Sequence, residues 1–138
     1  MAKLKGLLVS EYAKMWPREI FDLKSGRKLV FRREKDLLQP GVYILYRDDH
    51  PYYIGKTSGH LFERVWAHAN QPKDRYYHFW NFFSAFVIPE KRLRDEVEGL
   101  LIAAMPTANN SNPRIRKIPL PLEIARLLRR MRQSRFEA

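Results

Sequence analysis

Hydrophobic positions along the chain fall into short blocks, most of them bounded by proline. Leu8, Tyr12 and Met15 stand at helical spacing, and Trp16-Pro17 predicts the end of that first helix, because the residue before proline is disfavoured in helical conformation. Residues 28–32, Lys-Leu-Val-Phe-Arg, predict a brief strand, and Gln39-Pro40-Gly41 a break. Residues 41–46 and 52–55, rich in β-branched and aromatic side chains, read as a hairpin closed by the turn-forming residues 47–51. A helix follows over residues 61–69, with Leu61 and Val65 on one face and Arg64 and His68 together on an adjacent one. After the loop Gln71-Pro72-Lys73-Asp74, residues 79–88 predict a third strand that Pro89 closes.

Residues 92–105 return to helix. Leu93, Val97, Leu100, Leu101 and Ala104 share its apolar face, and Glu98 stands at the edge of that face. Pro106 stops the helix and residues 107–113 form a loop. The last segment has the clearest period: Ile124, Leu127, Leu128 and Met131 make an apolar stripe able to dock on the core, opposite Arg126, Arg129 and Arg130. The expected fold is therefore α+β, a small three-stranded antiparallel sheet flanked by helices, with basic helical N- and C-terminal extensions. Residues 1–40 are expected to pack on a core of residues 41–113, and residues 114–138 to form the basic amphipathic helix.

Composition narrows the classes. A chain of 138 residues is about one domain and buries roughly two-thirds of its unfolded surface. It has no cysteine, so a disulfide framework is excluded and a reducing, cytoplasmic setting is compatible. No apolar run approaches the ~18 residues that span a bilayer, and the N-terminal residues turn charged too soon for a signal peptide; the chain is expected to be soluble and unexported. The formal net charge of +11 points to a polyanionic partner. Residues 1–40 carry ten Lys/Arg against five Asp/Glu, residues 41–113 eight against eight, and residues 114–138 eight against two. A neutral middle with basic arms suits a centre that does chemistry between ends that hold a phosphate backbone. Two surface helices solvated by Lys and Arg would give the same counts, and a basic amphipathic helix can also lie on an anionic membrane.

The order of particular residues says more. Gly41-Val42-Tyr43, then Tyr53-Ile54-Gly55, Lys56, Leu61, Arg64 and His68, then Glu98-Gly-Leu-Leu-Ile102 and Pro106-Thr-Ala-Asn109, together resemble the GIY-YIG nuclease superfamily. The resemblance covers residues 41 to about 110 and neither basic arm. Its first triplet has Val for Ile, and its asparagine is Asn109 counted from Pro106 but Asn110 counted from Glu98. Singly, each residue has an ordinary reading: Tyr43 and Tyr53 as packed strand aromatics, Arg64 and His68 as a solvent-facing pair, Glu98 as the partner of Arg94. Six landmarks in sequence are not explained that way.

The resemblance implies metal-dependent endonucleolytic hydrolysis of DNA phosphodiesters, with RNA left open. Tyr43 would accept or relay the proton of the attacking water, oriented by Tyr53 and His68. Arg64 would hold phosphate oxygens. Glu98 would ligate one Mg2+ (or Mn2+), Asn109 would fix the loop beside the site, and Lys56, Arg126, Arg129 and Arg130 would contact nucleic acid. An unperturbed phenol, with a pKa near 10, is barely ionised at neutral pH. Arg64 or Lys56 is therefore expected to lower that of Tyr43, giving a rate that climbs on the alkaline side of neutrality. One such site cuts one strand, so a double-strand break takes a homodimer or sequential nicks. Two other classes stay in view: a catalytically silent nucleic-acid-binding module on the same fold, and a transition-metal protein using His50, His60, His68 and His78, whose spacing fits no helical pair of ligands.

Overall fold

The computed structural model describes residues 8–29, 35–74, 79–109 and 115–137. Its strands are β1 (Glu11–Pro17), β2 (Lys24–Ser25), β3 (Lys28–Leu29), β4 (Gly41–Arg47), β5 (His50–Thr57) and β6 (Phe82–Val87), and its helices α1 (Leu61–Asn70), α2 (Lys91–Ala104) and α3 (Leu122–Glu137). β1, β6, β4 and β5 form, in that order, a four-stranded antiparallel sheet, while β2 and β3 pair as a separate short ribbon. The general α+β class is as the sequence predicts; the sheet has four strands, not three.

β4 is one of the two interior strands, and residues 42–45 are all buried because both faces of the sheet are covered. Tyr43 and Leu45 face one side with Leu61, Phe62 and Val65 of α1, and with Phe21 and Leu37, each from a 3-10 turn before β4. Val42 and Ile44 face the other side with Ile54, Ile88 and the Leu93, Val97 and Leu101 stripe of α2. Alternation along the strand thus assigns α1 and α2 to opposite faces. Leu100 and Ala104 do not share the buried face expected of them and are exposed.

The fourth strand comes from the segment expected to be the N-terminal helix. Three apolar positions are too few to separate a period of 3.6 from one of 2, and the residues read as an apolar face, Leu8 and Tyr12, are 62% and 70% exposed. The buried residue is Ala13, opposite Ala85 of β6. Met15 has φ 53, outside any helix, at the irregularity between Ala13 and Trp16, where its N–H donates to the Ser84 hydroxyl at 3.1 Å. Edge pairing with β6 supplies the backbone bonds that a short helix would have had to supply itself. The third predicted strand begins at Phe82 rather than at residue 79, and residues 30–32 of the expected 28–32 strand lie outside the described residues.

β4 and β5 join through Asp48-Asp49, with Asp48 at φ 56 and the Asn81 side chain clamped on it: the Asp48 N–H donates to Asn81 Oδ1 at 2.7 Å, and Asn81 Nδ2 donates to Asp48 Oδ1 at 2.9 Å. Tyr52 is the extra residue between the Tyr46–Pro51 and Leu45–Tyr53 pairs, which turns Tyr52 and Tyr53 toward the α1 face, where both pack.

α3 forms over the residues that its period predicts, but its apolar stripe does not dock. Ile124, Leu127 and Met131 are 45%, 56% and 48% exposed. The sheet offers no bare face, since α1 and α2 already cover both, and the approach to α3 through Pro119 and Pro121 is exposed as well. Among the described residues no helix is long and apolar enough to cross a membrane.

Candidate active site

Four of the expected residues meet on the α1 face. Tyr43 projects from the centre of the sheet, and its hydroxyl lies 2.8 Å from His68 Nε2 and accepts from Arg64 Nε at 3.3 Å. Arg64 and His68, one helical turn apart, therefore close on a single phenol oxygen, as their spacing predicts. Tyr53, on the neighbouring strand, brings its ring centroid to 6.2 Å from that of Tyr43 and 5.8 Å from that of His68. Both glycines of the two triplets have steric reasons. A Cβ on Gly41 would run into the Phe86 carbonyl, and one on Gly55 into the ring and hydroxyl of Tyr43.

His68 is held from behind. It sits in the last turn of α1, whose carbonyls would otherwise be orphaned. Asn70 Nδ2 donates to Trp66 O, the Gln71 N–H to Ala67 O, Trp80 Nε1 to His68 O and Arg18 Nη2 to Ala69 O. Arg18 also stacks over Trp80 and donates to its carbonyl, so this cation of the N-terminal basic segment serves as a helix cap. The turn that Pro72 starts, closed by Asp74 N–H to Gln71 O at 2.9 Å, brings the Asp74 carboxylate to 2.8 Å from His68 Nδ1. Asp74 is the member that sequence reasoning missed. Six residues is no helical spacing, and only the helix stop at residue 70 followed by a turn makes Asp74 a neighbour of His68.

Electrostatics here differ from expectation. Burial pushes the Tyr43 phenol well above its ordinary range, and Tyr53 adds to the rise; Arg64 acts downward, as expected, but is outweighed. Lys56 takes no part. Tyr43 is thus a neutral phenol, fully buried, whose oxygen donates to one partner and accepts from the other. Burial lowers the pKa of His68, with Asp74 opposing, so the ring is neutral near pH 7. A neutral ring carrying its proton on Nδ1, toward Asp74, presents the Nε2 lone pair to Tyr43.

Glu98 is not brought into this cluster. It lies on α2, against the opposite face of the sheet, in a second group: Lys56 Nζ is 2.9 Å from Asp95 Oδ1 and 3.4 Å from Glu98 Oε1. Hydrogen bonding to Asp95 raises the pKa of Lys56 and keeps it charged. Burial raises that of Glu98 against the pull of Lys56. Lys56 is thereby an ion-pair partner of two acids, not a free cation. Arg94, the ordinary partner considered for Glu98, is buried and donates to the Ile88 and Pro89 carbonyls instead. The two groups approach each other at β5, an edge strand: Gly55 packs on Tyr43 and the next residue, Lys56, carries the acids.

Asn109 clasps that edge. Its Oδ1 accepts from Ile54 N–H at 2.9 Å and its Nδ2 donates to Ile54 O at 2.7 Å, while the Ala108 N–H donates to Tyr52 O at 2.8 Å. The side chain acts as one more strand residue, fixing the loop after α2 beside the second triplet. Asn110 lies outside the described residues. Arg126, Arg129 and Arg130 stand on α3 and are exposed.

Among the described residues no three His, Cys, Asp or Glu come together as a cage for a metal; Asp95 and Glu98 come together as two, on Lys56. Two carboxylates suit a hard divalent cation that keeps most of its waters; the Lys56 ammonium pairs with both and would have to move aside for one. Comparison of the chain with protein-family models, with curated proteins and with solved structures gives no match in any of the three.

Proposed function

We propose that the chain is a metal-dependent endonuclease of the GIY-YIG type, hydrolysing phosphodiester bonds of DNA at the β5 edge. The observation that carries this reading is the single phenol oxygen of Tyr43 bonded to both Arg64 and His68, which makes one polar centre out of residues spread along the chain and in the order of that superfamily's motif. A packed aromatic pair with a solvent-facing helical pair, the ordinary reading, has no need of it.

In this reading the scissile phosphate lies across the edge at Gly55 and Lys56, between the two groups. Arg64 is exposed on α1 and touches Tyr43 only through Nε, leaving its outer nitrogens to pair with phosphate oxygens. Turning to do so uncovers the Tyr43 oxygen, which then meets the attacking water. Glu98, with Asp95 beside it, would hold a Mg2+ or Mn2+ ion, which when bound polarises the phosphate and stabilises the departing oxygen. Asn109 keeps β5 in register for both groups, and the arginines of α3 reach along the backbone by charge.

Incubating the full chain with supercoiled plasmid, single-stranded DNA and RNA, with Mg2+ and with a chelator, tests this directly. Metal-dependent cleavage of DNA is expected. Binding without cleavage under every condition would instead make the chain the silent nucleic-acid-binding module, the second reading, which the separation of Glu98 from the phenols favours.

A further inference from the structure

Tyr43 poses a chemical problem for hydrolysis: its position favours the neutral phenol, and a neutral phenol is a poor base. The chain Asp74–His68–Tyr43 resolves it. Asp74 Oδ2 lies 2.8 Å from His68 Nδ1, and His68 Nε2 lies 2.8 Å from the Tyr43 oxygen. An aspartate is acceptor-only when ionised, so its bond requires the proton on Nδ1 and turns the Nε2 lone pair toward the Tyr43 hydroxyl. The His68 main chain is pinned independently by Trp80 Nε1, while the ring is held by Asp74 on Nδ1 and by Tyr43 on Nε2.

We propose that Asp74 is a positioning residue: by fixing the Nδ1–H tautomer of His68, it makes His68 the final acceptor of the proton that the nucleophilic water gives up, with Tyr43 as a relay that never has to be ionised. This rests on the nuclease reading above. In the step, a water proton moves to the Tyr43 oxygen as the Tyr43 hydroxyl proton moves to His68 Nε2. The water oxygen bonds to phosphorus, the bond from phosphorus to the leaving oxygen breaks, and that oxygen takes a proton from solvent. The imidazolium, facing Asp74, returns its proton to solvent after the products leave. The titratable groups around His68 among the described residues are Asp74 from the turn after α1, Tyr43 from β4, Tyr53 from β5 and Arg64 from its own helix. Asp74 favours the imidazolium and Arg64 opposes it. The relay therefore replaces the alkaline climb of a phenolate base by a rate that rises as His68 loses its proton, below about pH 6.5, and is level from pH 7 to 9.

Two measurements on the full chain test it, each beside Asp74→Asn. The first is imidazole nitrogen NMR of His68 without metal or nucleic acid. The Nδ1–H tautomer is expected in the unmutated chain, and its loss in Asp74→Asn, whose amide can donate to Nδ1. The second is plasmid nicking from pH 5 to 9, where a level rate above pH 7 is expected, with Asp74→Asn reducing turnover by about 10²-fold or more and KM unchanged. An Nε2–H tautomer in the unmutated chain, a rate still climbing from pH 7 to 9, or an Asp74→Asn chain with unaltered tautomer and turnover would overturn the proposal. A chain that nicks nothing, yet shows the Nδ1–H tautomer and its loss in Asp74→Asn, overturns the nuclease reading and leaves the positioning of His68 by Asp74 standing.

Discussion

Gly55 lies so close against the ring of Tyr43 that a single added methyl group would occupy the phenol's own space. The second glycine triplet is thus a packing requirement of the first: β5 can pass over the buried tyrosine of β4 only without a side chain at that point. Gly55→Ala is expected to destabilise the fold by about 1–3 kcal/mol through overpacking and to disturb the Tyr43–His68 bond. Denaturant unfolding measures the first effect. An unchanged midpoint would mean that the ring moves aside freely, and that β5 does not set its position.

Tyr43 also makes stability depend on alkaline pH. Its folded pKa is raised above the unfolded value of about 10, so its contribution is whole below pH 10 and is lost as pH rises further and the unfolded phenol ionises. Lys56, raised by Asp95 and Glu98, loses its own contribution in the same region. Tyr43→Phe is expected to flatten only part of the alkaline fall, and Tyr43→Phe with Lys56→Met more of it. Unfolding midpoints from pH 8 to 11 give the comparison; a single variant as steep as the unmutated chain would contradict it.

Glu98 separates function from stability. Burial holds its folded pKa above that of the unfolded chain, so the fold favours the protonated acid, and the ionised form costs stability at neutral pH. Glu98→Gln is therefore expected to leave thermal stability unchanged or higher. The same substitution should reduce Mg2+-dependent cleavage by about 10²–10³-fold, the loss of several kcal/mol of charge stabilisation. A drop in both would mark Glu98 as structural.

The arginines of α3 make a salt-dependent prediction. Replacing Arg126, Arg129 and Arg130 together by Gln should weaken DNA binding and lower the slope of log affinity against log salt by up to about 3, one for each phosphate that is no longer neutralised. Fluorescence anisotropy with a labelled duplex at several salt concentrations measures it. An unchanged slope would remove α3 from the interface.

What could be read from the sequence follows how local each signal is. Arg64 and His68 needed only the helical period to share a face, and the β4–β5 hairpin only alternation and a turn, but it was the resemblance of their order to the GIY-YIG motif that joined Tyr43, Tyr53, Arg64 and His68 into one expected site. β1 was not, because an edge strand takes its hydrogen bonds from a partner some seventy residues away (Ala13 opposite Ala85), and no local pattern records that. Asp74 escaped for a related reason: a turn, and not a period, brings it to His68. The phenol's neutrality was hidden too, because the charge of Arg64 is visible in the sequence and the depth of burial that outweighs it is not. On α3 the period gave the helix correctly but could not tell that both sheet faces were already taken.

The most direct measurement is nicking of supercoiled plasmid by the purified full chain in Mg2+, run beside Arg64→Ala and Glu98→Gln. Nicked circles from the unmutated chain that vanish with chelator and fall at least about a hundredfold in both variants are the predicted result. Nicking that persists equally in both variants, or tight binding by the unmutated chain with no nicked product, would contradict the account.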